Sequence, residues 1–309
     1  MKAVGLTEFG GPRSLHLVER DIPAVEPGTV RIRMRAATVN PVDVGFVHGG
    51  LREALQRSRP PYVPGMEGAG EIDAVGEGID DLSVGDRVSA IVLPFGRYGG
   101  AQSQYVVVKR PQVIATPDHL TDVEAATIPM NGLTAQVALD LLDLPPGAPL
   151  WVTGAPGALG GYTVQLAKAR GLRVVADVAP DDEVLVKELG ADVIVRRGPD
   201  AANEVYDATD GVAGIVDAAV IGTSVQSALM DGGGAIVAVR PFDGQSRANV
   251  TIHDLRVGEY ARELARLEPA LENNVLTPRI TEVVDASDAP RAYAMVERGG
   301  LRGRVVLGL

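Results

Sequence analysis

The chain has 309 residues, which is long for one hydrophobic core and sufficient for two domains. It contains no cysteine, which excludes disulfides, thiolate nucleophiles and cysteine-ligated zinc. A net charge of −11, an aromatic content of 4% and the lack of a basic stripe argue against nucleic-acid binding. No apolar run is as long as a membrane span and residues 1–5 do not resemble a signal peptide, so we expect a cytoplasmic protein without membrane contact.

The first 120 residues are typical of a β-rich domain. Residues 30–36 alternate apolar and basic side chains, and residues 68–76, 88–92 and 105–108 are further short apolar runs between glycine and proline turns. This pattern predicts a barrel-like unit of short strands.

From residue 121 onward, strands alternate with helices. Thr121 and Glu124 have the spacing of a capping box at a helix start. Strands are predicted at residues 174–176, 192–195, 214–219 and 235–239, and helices at residues 181–189 and 223–230. This alternation predicts a parallel, doubly wound sheet.

After residue 255 the sequence predicts one long helical stretch, residues 257–272, and short strands at residues 279–284 and 304–307. We therefore predict a β domain built from both termini, residues 1–120 and 255–309, and a Rossmann domain at residues 121–254.

A glycine-rich turn in the middle of the chain carries the most information about function. An apolar strand at residues 150–153 leads into glycines at positions 154, 157 and 160, an amphipathic helix and a second strand. Glycines allow the backbone to approach a pyrophosphate, and a helix N-terminus supplies N–H groups and a positive dipole end. The spacing is GxxGxxG and not GxGxxG, so a turn that only packs a helix on a sheet is the alternative. We predict a dinucleotide site formed by Gly154, Ala155, Pro156, Gly157, Ala158, Leu159 and Gly160.

Motifs along nearly the whole chain resemble a known family. They are NPVD at residues 40–43, PGMEGAG at 64–70, VGDRV at 84–88, GLTA at 132–135, QLAK at 165–168, LGAD at 189–192 and RGRVVL at 302–307. In this order they are similar to the zinc-free quinone oxidoreductases (zeta-crystallin-like) of the medium-chain dehydrogenase/reductase superfamily. The resemblance implies an α/β protein with a GroES-like β-barrel catalytic domain, a Rossmann domain with a doubly wound parallel sheet, and a cofactor in the cleft between them.

The residues disfavour the zinc-dependent relatives. Those proteins have a cysteine near position 40 and a His-Glu pair after the glycine at 65, where this chain has Asn40 and Met66-Glu67. The four histidines, at positions 16, 48, 119 and 253, have no metal-binding spacing. We expect no metal.

The resemblance also implies cofactor contacts outside the glycine turn. These are expected at Asn40, Thr134, Lys168, Val239 and Arg304. Two of them have structural alternatives, since Asn40 could be a turn amide before proline and Thr134 a helix cap.

The catalytic and substrate residues are expected in the first domain. Asn40, Asp43 and Tyr62 are the catalytic candidates, with Asp43 relaying a proton or only capping a turn. His48, Phe95 and Tyr98 are the substrate candidates. The aromatic rings of Phe95 and Tyr98 would form flat walls for a planar acceptor, whereas His48 could equally be a solvent-exposed loop residue.

The choice of cofactor depends on the end of the second Rossmann strand. An acid there binds the ribose hydroxyls of NAD, and Asp177 is near that place but one residue early. Three acids at residues 181–183 would repel a 2′-phosphate, whereas Arg196 could bind one. We predict NADPH, with NADH possible.

The predicted function is hydride transfer from NAD(P)H to a quinone or an α,β-unsaturated carbonyl. A standalone enoyl reductase of a biosynthetic pathway and a non-catalytic dinucleotide-binding redox sensor are the alternatives. A homodimer is expected through an edge strand at residues 248–252, with Val250 and Ile252 facing out. Coverage of that edge by the last helix is the alternative.

Overall fold

The computed structural model describes residues 1–56, 58–242 and 244–309. The strands in chain order are β1 (Lys2–Gly5), β2 (His16–Glu19), β3 (Thr29–Thr38), β4 (Glu67–Val75), β5 (Arg87–Ile91), β6 (Tyr105–Lys109), β7 (Val113–Ala115), β8 (Pro149–Thr153), β9 (Arg173–Val178), β10 (Val193–Arg196), β11 (Gly214–Asp217), β12 (Gly234–Ala238), β13 (Val250–Asp254), β14 (Ile280–Asp285) and β15 (Arg304–Gly308).

The α-helices are α1 (Pro41–Val47), α2 (Asp122–Ala125), α3 (Pro129–Leu142), α4 (Ala158–Ala169), α5 (Glu183–Glu188), α6 (Ala201–Thr209), α7 (Glu268–Glu272) and α8 (Ala289–Arg298). Two segments that the sequence predicted as helices, Gly222–Ala228 and Val257–Leu267, are 3₁₀. In the second of them, the backbone of Glu263 leaves the helical region (φ −112°, ψ 21°), so one continuous helix over residues 257–272 does not form.

The chain divides into two compact units. The β-rich unit comprises Met1–Met130, Tyr260–Glu268 and Pro278–Leu309, and the Rossmann unit comprises Asn131–Glu259 and Pro269–Thr277. The first boundary falls about ten residues after the predicted one, because α2 packs on β3, β4 and β5. Residues 269–277 return to the Rossmann unit, where Gln165 and Thr277 exchange two hydrogen bonds.

A seven-stranded sheet forms the frame of the β-rich unit. Its order is β14-β15-β3-β4-β5-β7, with β6 also pairing to β3, and β1 and β2 form a separate ribbon. All pairs are antiparallel except β14 with β15. The ten-residue β3 alternates sides in the way that its sequence predicted, with Val30, Ile32 and Met34 buried in the core.

The Rossmann unit contains a six-stranded parallel sheet in the order β10-β9-β8-β11-β12-β13. The order runs outward in both directions from β8, so the crevice beyond the carboxyl ends of β8 and β11 is the switch point where such sheets bind ligands. The fully buried Trp151 of β8 anchors the core on one face of this sheet.

Strand β13 lies at the edge of the parallel sheet, which agrees with the predicted edge position. The prediction that Val250 and Ile252 face out is wrong, because both side chains pack against the core cluster that contains Trp151. The alternation of a strand places residues 250 and 252 on one face, and that face is the packed one. Thr251 is the exposed residue between them.

Among the described residues, no helix is both long enough and apolar enough to cross a bilayer.

Candidate active site

The three glycines of the turn after β8 have different structural roles. Gly154 has φ +63°, a left-handed conformation that favours glycine. Gly157 is the N-cap of α4 with an ordinary φ of −71°. A Cβ on Gly160 would lie 2.3 Å from the carbonyl oxygen of Gly154, so this glycine permits α4 to pack against the turn.

The turn fits the pyrophosphate of a dinucleotide. A Cβ on Gly157 would meet only the Gly154 oxygen, at 3.2 Å, and otherwise open space. The N–H groups of the first turn of α4, which begins at Ala158, have no carbonyl partner four residues earlier within the helix. An open cradle in front of a helix N-terminus is the arrangement that binds a phosphate. All seven predicted turn residues, 154–160, lie in this segment.

A cavity of about 350 Å³ opens beside the carboxyl ends of β11 and β12. Its lining includes the predicted Val239, together with Asp217, Val220 and Arg240. Asp217, Val220 and Arg240 were not predicted from the sequence. The signal in the sequence that could have indicated this loop was an acid at the end of a strand, Asp217, with Gly222 five positions later.

Asp217 ties the loop after β11 to the start of the glycine turn. Its carboxylate accepts hydrogen bonds from Thr153 Oγ1 (2.8 Å) and from the backbone N–H groups of Ile221 (3.0 Å) and Gly222 (2.9 Å). Val220, which lies between Asp217 and Ile221 in the sequence, has a φ of +58°, a strained conformation for a β-branched residue. The loop is therefore fixed in one conformation at the crevice of the sheet.

Two predicted cofactor residues have different environments from those expected. Thr134 is buried inside α3, so the alternative of a helix cap is wrong. Lys168 lies in the last turn of α4, about 15 Å along the helix from Ala158 at 1.5 Å per residue. There its Nζ donates to both carboxylate oxygens of Asp192, at 2.7 Å each. Lys168 is therefore not part of the pyrophosphate cradle.

Asp177 does not present its carboxylate to a ribose. The residue is fully buried, where Oδ1 accepts a hydrogen bond from Trp151 Nε1 (3.1 Å) and Oδ2 pairs with Arg197 Nε (3.1 Å). Burial raises the pKa of the Asp177 carboxyl, against the opposing effect of Arg197. The alternating strand directs this side chain into the core, so its predicted cofactor contact is corrected here.

Arg196 lies at the end of β10, in register with Val178 at the end of β9. It is exposed, and its backbone N–H donates to Glu204. Within the described part of the chain, its guanidinium has no ion-pair partner, unlike that of Arg197. It is therefore available to an anionic group at this edge of the sheet.

In the β-rich unit, four buried polar side chains form what we call the Glu67 cluster: Thr38, Asn40, Glu67 and Arg304. Arg304 Nη2 lies 2.6 Å from Glu67 Oε1 and 2.8 Å from Asn40 Oδ1. The same Glu67 oxygen accepts from Thr38 Oγ1 (2.7 Å) and from Asn40 Nδ2 (3.0 Å). The predicted Asn40 and Arg304 are thus buried and joined by hydrogen bonds, and Asn40 also precedes Pro41 as a helix N-cap, as its structural alternative expected.

The donor set of the Glu67 cluster does not fit zinc. Glu67 Oε2 accepts from the backbone N–H of Met130 (2.7 Å), so both carboxylate oxygens are already bonded to donors. A guanidinium occupies the side of Glu67 where a cation would bind. In the described residues no group of three or more His, Asp or Glu side chains is placed to hold a metal.

Asp43 braces the start of α1. Its Oδ2 accepts from the backbone N–H of Asn40 (2.8 Å) and its Oδ1 from that of Gly65 (3.1 Å). Asn40 is the N-cap of this helix and Pro41 its first residue. Burial raises the pKa of the Asp43 carboxyl to about 7. The alternative interpretation of Asp43 as a capping residue is confirmed.

A second cavity, of about 470 Å³, lies between the loops at residues 58–63 and 94–99 of the β-rich unit. The predicted Tyr62 and Phe95 both line it. Tyr62 is fixed by stacking on Phe9, with ring centroids 5.1 Å apart and planes 15° apart. Two aromatic rings therefore border a cavity of the size that small-molecule sites have.

His48 and Tyr98 are not among the described residues that line this cavity. His48 is exposed at the end of α1 and lies 2.7 Å from Glu297, so its alternative interpretation as a surface residue is the better one. The Arg97 guanidinium lies over the Tyr98 ring, with Arg97 Cζ 5.5 Å from the ring centroid.

Family models match both parts of the chain. The model described as an alcohol dehydrogenase GroES-like domain matches residues 26–118, and the model described as a zinc-binding dehydrogenase matches residues 158–251.

Individual proteins show the same relationship. The chain is 34% identical over 210 residues to quinone-oxidoreductase QR1, chloroplastic, of Triphysaria versicolor, covering 65% of this chain and 63% of that protein. It is 31% identical to an alcohol dehydrogenase of Geobacillus stearothermophilus over 99% of both chains. A solved mycobacterial quinone oxidoreductase is 26% identical, with a TM-score of 0.83 over 100% of both chains. With its GroES-like domain and its Rossmann-like parallel sheet, the chain belongs to the medium-chain dehydrogenase/reductase superfamily, in the quinone oxidoreductase-like branch.

Proposed function

We propose that this oxidoreductase transfers a hydride from NADPH to a quinone or an α,β-unsaturated carbonyl without zinc. The observation that carries the proposal is the Glu67 cluster, in which Arg304 occupies the cation position beside Glu67. A metal acts on alcohols and simple carbonyls by polarising their oxygen. Quinones and conjugated carbonyls spread the incoming charge over their own π-system, so they are the acceptors suited to a site that lacks a Lewis acid.

The chain supplies binding and orientation to this reaction, since the bound nicotinamide supplies the hydride. The turn at residues 154–160 holds the pyrophosphate. The aromatic rings of Tyr62 and Phe95 flank a planar acceptor in the 470 Å³ cavity. The Tyr62 hydroxyl is the candidate hydrogen-bond donor to the acceptor oxygen.

The choice of NADPH rests on Arg196. Among the described residues its guanidinium has no ion-pair partner, so it suits the 2′-phosphate, whereas Asp177, the candidate partner of a 2′-hydroxyl, is buried against Trp151. Exposed Asp181 opposes this choice, but the nearby Asp182 is buried and already has a partner. Arg196→Ala should raise KM for NADPH about 10- to 150-fold, with little change in KM for NADH. Equal effects on the two cofactors would remove Arg196 from the 2′-phosphate site.

The activity is tested with purified protein and a panel of quinones and enones, in which oxidation of NADPH and NADH is followed by absorbance. We expect turnover with NADPH that is unaffected by EDTA. Loss of activity on chelation, with recovery on adding zinc, would contradict the metal-free proposal. Selective turnover of carrier-linked enoyl thioesters would favour the enoyl reductase. Tight NADPH binding without turnover of any acceptor would favour the redox sensor.

A further inference from the structure

We propose that the 470 Å³ cavity of the β-rich unit recognises an anionic oxygen group on a flat, apolar molecule. This inference rests on the proposed function, because it names the substrate class of the proposed acceptor site. A carboxylate or a phosphate ester on the acceptor would be the recognised group.

Three arginines line the cavity: Arg20 from the segment after β2, Arg59 from the first loop and Arg97 from the second. Within the part of the chain that the structure describes, none of the three forms an ion pair with a carboxylate. The chain has 40 acidic and 29 basic residues, so carboxylates outnumber the cations that could pair with them. Elsewhere in the same unit, arginines such as Arg31, Arg87 and Arg110 have aspartate partners within 2.8 Å.

Arg20 fixes the shape of the cavity. Its Nη1 donates to the carbonyl of Pro61 (2.9 Å) and its Nη2 to the carbonyl of Arg97 (3.2 Å). One half-buried guanidinium thus links the two loops and contributes a positive charge that has no carboxylate partner in the described ranges of the chain. Arg59 and Arg97 are exposed, and they leave their guanidinium groups available to a ligand.

The remaining lining is flat and apolar. Tyr62 and Phe95 supply rings, Pro60 and Pro94 supply rigid surface without a backbone donor, and Leu55 supplies an aliphatic side chain. An arginine binds carboxylate and phosphate oxygens through a planar pair of donors. A cavity lined by both arginines and flat apolar groups therefore favours a ligand that carries an anionic group on a planar body.

The test uses ligands that cannot accept a hydride, so that it does not depend on turnover. Binding of 4-phenylbutyrate, its methyl ester and phenyl phosphate to the full chain is measured by ligand-observed NMR titration. We expect the acid to bind at least fivefold more tightly than the ester, with the difference shrinking as salt is raised. If phenyl phosphate binds more tightly than the acid, the anionic group is a phosphate ester, and the reverse order assigns a carboxylate.

The double variant Arg59→Gln/Arg97→Gln should remove most of the preference for the acid, since an exposed charge pair contributes roughly 2- to 5-fold and two pairs together about 4- to 25-fold. The matched control is Arg13→Gln/Arg298→Gln, which removes two exposed arginines of the same unit outside the cavity. If the double variant does not fold by circular dichroism, Arg59→Gln alone is used, with Arg13→Gln as its control. Equal binding of acid and ester, or equal loss in variant and control, would overturn the proposal. Failure of every reduction assay would overturn the proposed function and leave this result standing.

Discussion

Replacing Gly157 by valine should remove dinucleotide binding while leaving the Rossmann unit folded. The new Cβ would meet only the Gly154 oxygen, at 3.2 Å, and the φ of −71° is one that valine adopts. Valine is a poor N-cap, so we expect a loss of about 1 kcal/mol in the free energy of unfolding.

The expected loss of affinity is much larger than the loss of stability. The valine side chain would occupy the cradle in front of α4, where the pyrophosphate accepts hydrogen bonds from the first helical turn. Hydrogen bonds to a charged group contribute about 1.5–3 kcal/mol each, so losing two of them weakens binding by about 100-fold or more.

Two further glycines provide the comparison. Gly160→Ala places a Cβ 2.3 Å from the Gly154 oxygen and 2.7 Å from its carbonyl carbon, so it should cost stability by about 1–3 kcal/mol or more. Gly232→Val is the control, because a Cβ there meets no atom within 4 Å. Gly232 lies just before β12, at the amino-terminal end of the parallel strands, whereas the glycine turn follows the carboxyl end of β8.

The assay pairs a fluorescence titration with NADPH and denaturant unfolding of each variant. Gly157→Val should unfold like Gly232→Val to within about 1 kcal/mol but fail to bind NADPH. Unchanged NADPH affinity in Gly157→Val would refute the assignment of this turn to the pyrophosphate.

Three other predictions concern the buried charges and the assembly. Burial raises the pKa of Asp43 from 3.8 to about 7, so Asp43 ionises at a lower pH in the unfolded chain, and the free energy of unfolding should fall as pH rises from about 4 to 7. Asp43→Asn should flatten this pH dependence in denaturant titrations, and the same pH dependence in the variant and the unmodified protein would contradict the prediction. Arg304→Met leaves the Glu67 charge buried and should cost about 3–5 kcal/mol in the same assay, with partial recovery in Glu67→Gln/Arg304→Met; an unchanged midpoint would disprove the pairing. Light scattering should give the mass of a homodimer formed through the backbone edge of β13, and a monomer at micromolar concentration would reject it.

The local patterns of the sequence were sufficient for most of the strands, the glycine turn and the parallel sheet, whereas β1, β2 and β7 were not predicted. Alternation in β3 and the run from β8 through the turn into α4 are short-range signals, because each is set by neighbours within a few residues. The capping box at Thr121 and Glu124 is local in the same way, and its side-chain hydrogen bonds are present. Helices such as α1 were missed because Asn40-Pro41 and Gly45 are equally typical of a turn.

The sequence also identified chemically important residues without their partners. Arg304 and Glu67 are separated by 237 positions, so no spacing rule could join them into one cluster. Asp177 was placed near a ribose because strand ends in Rossmann units carry such an acid. Its burial against Trp151 depends on which face of β9 meets the core.

The sequence by itself thus determined the family, the order of most elements and the position of the glycine turn, because these depend on short motifs and on periodicity. Only the tertiary structure decided which charges are neutralised. It paired Lys168 with Asp192, Arg197 with Asp177 and Glu67 with Arg304, and it left Arg196 and the arginines of the 470 Å³ cavity without carboxylate partners among the described residues. The physical reason is that an ion pair depends on distances of a few ångströms between residues far apart in the chain, and those distances exist only after the sheets have formed.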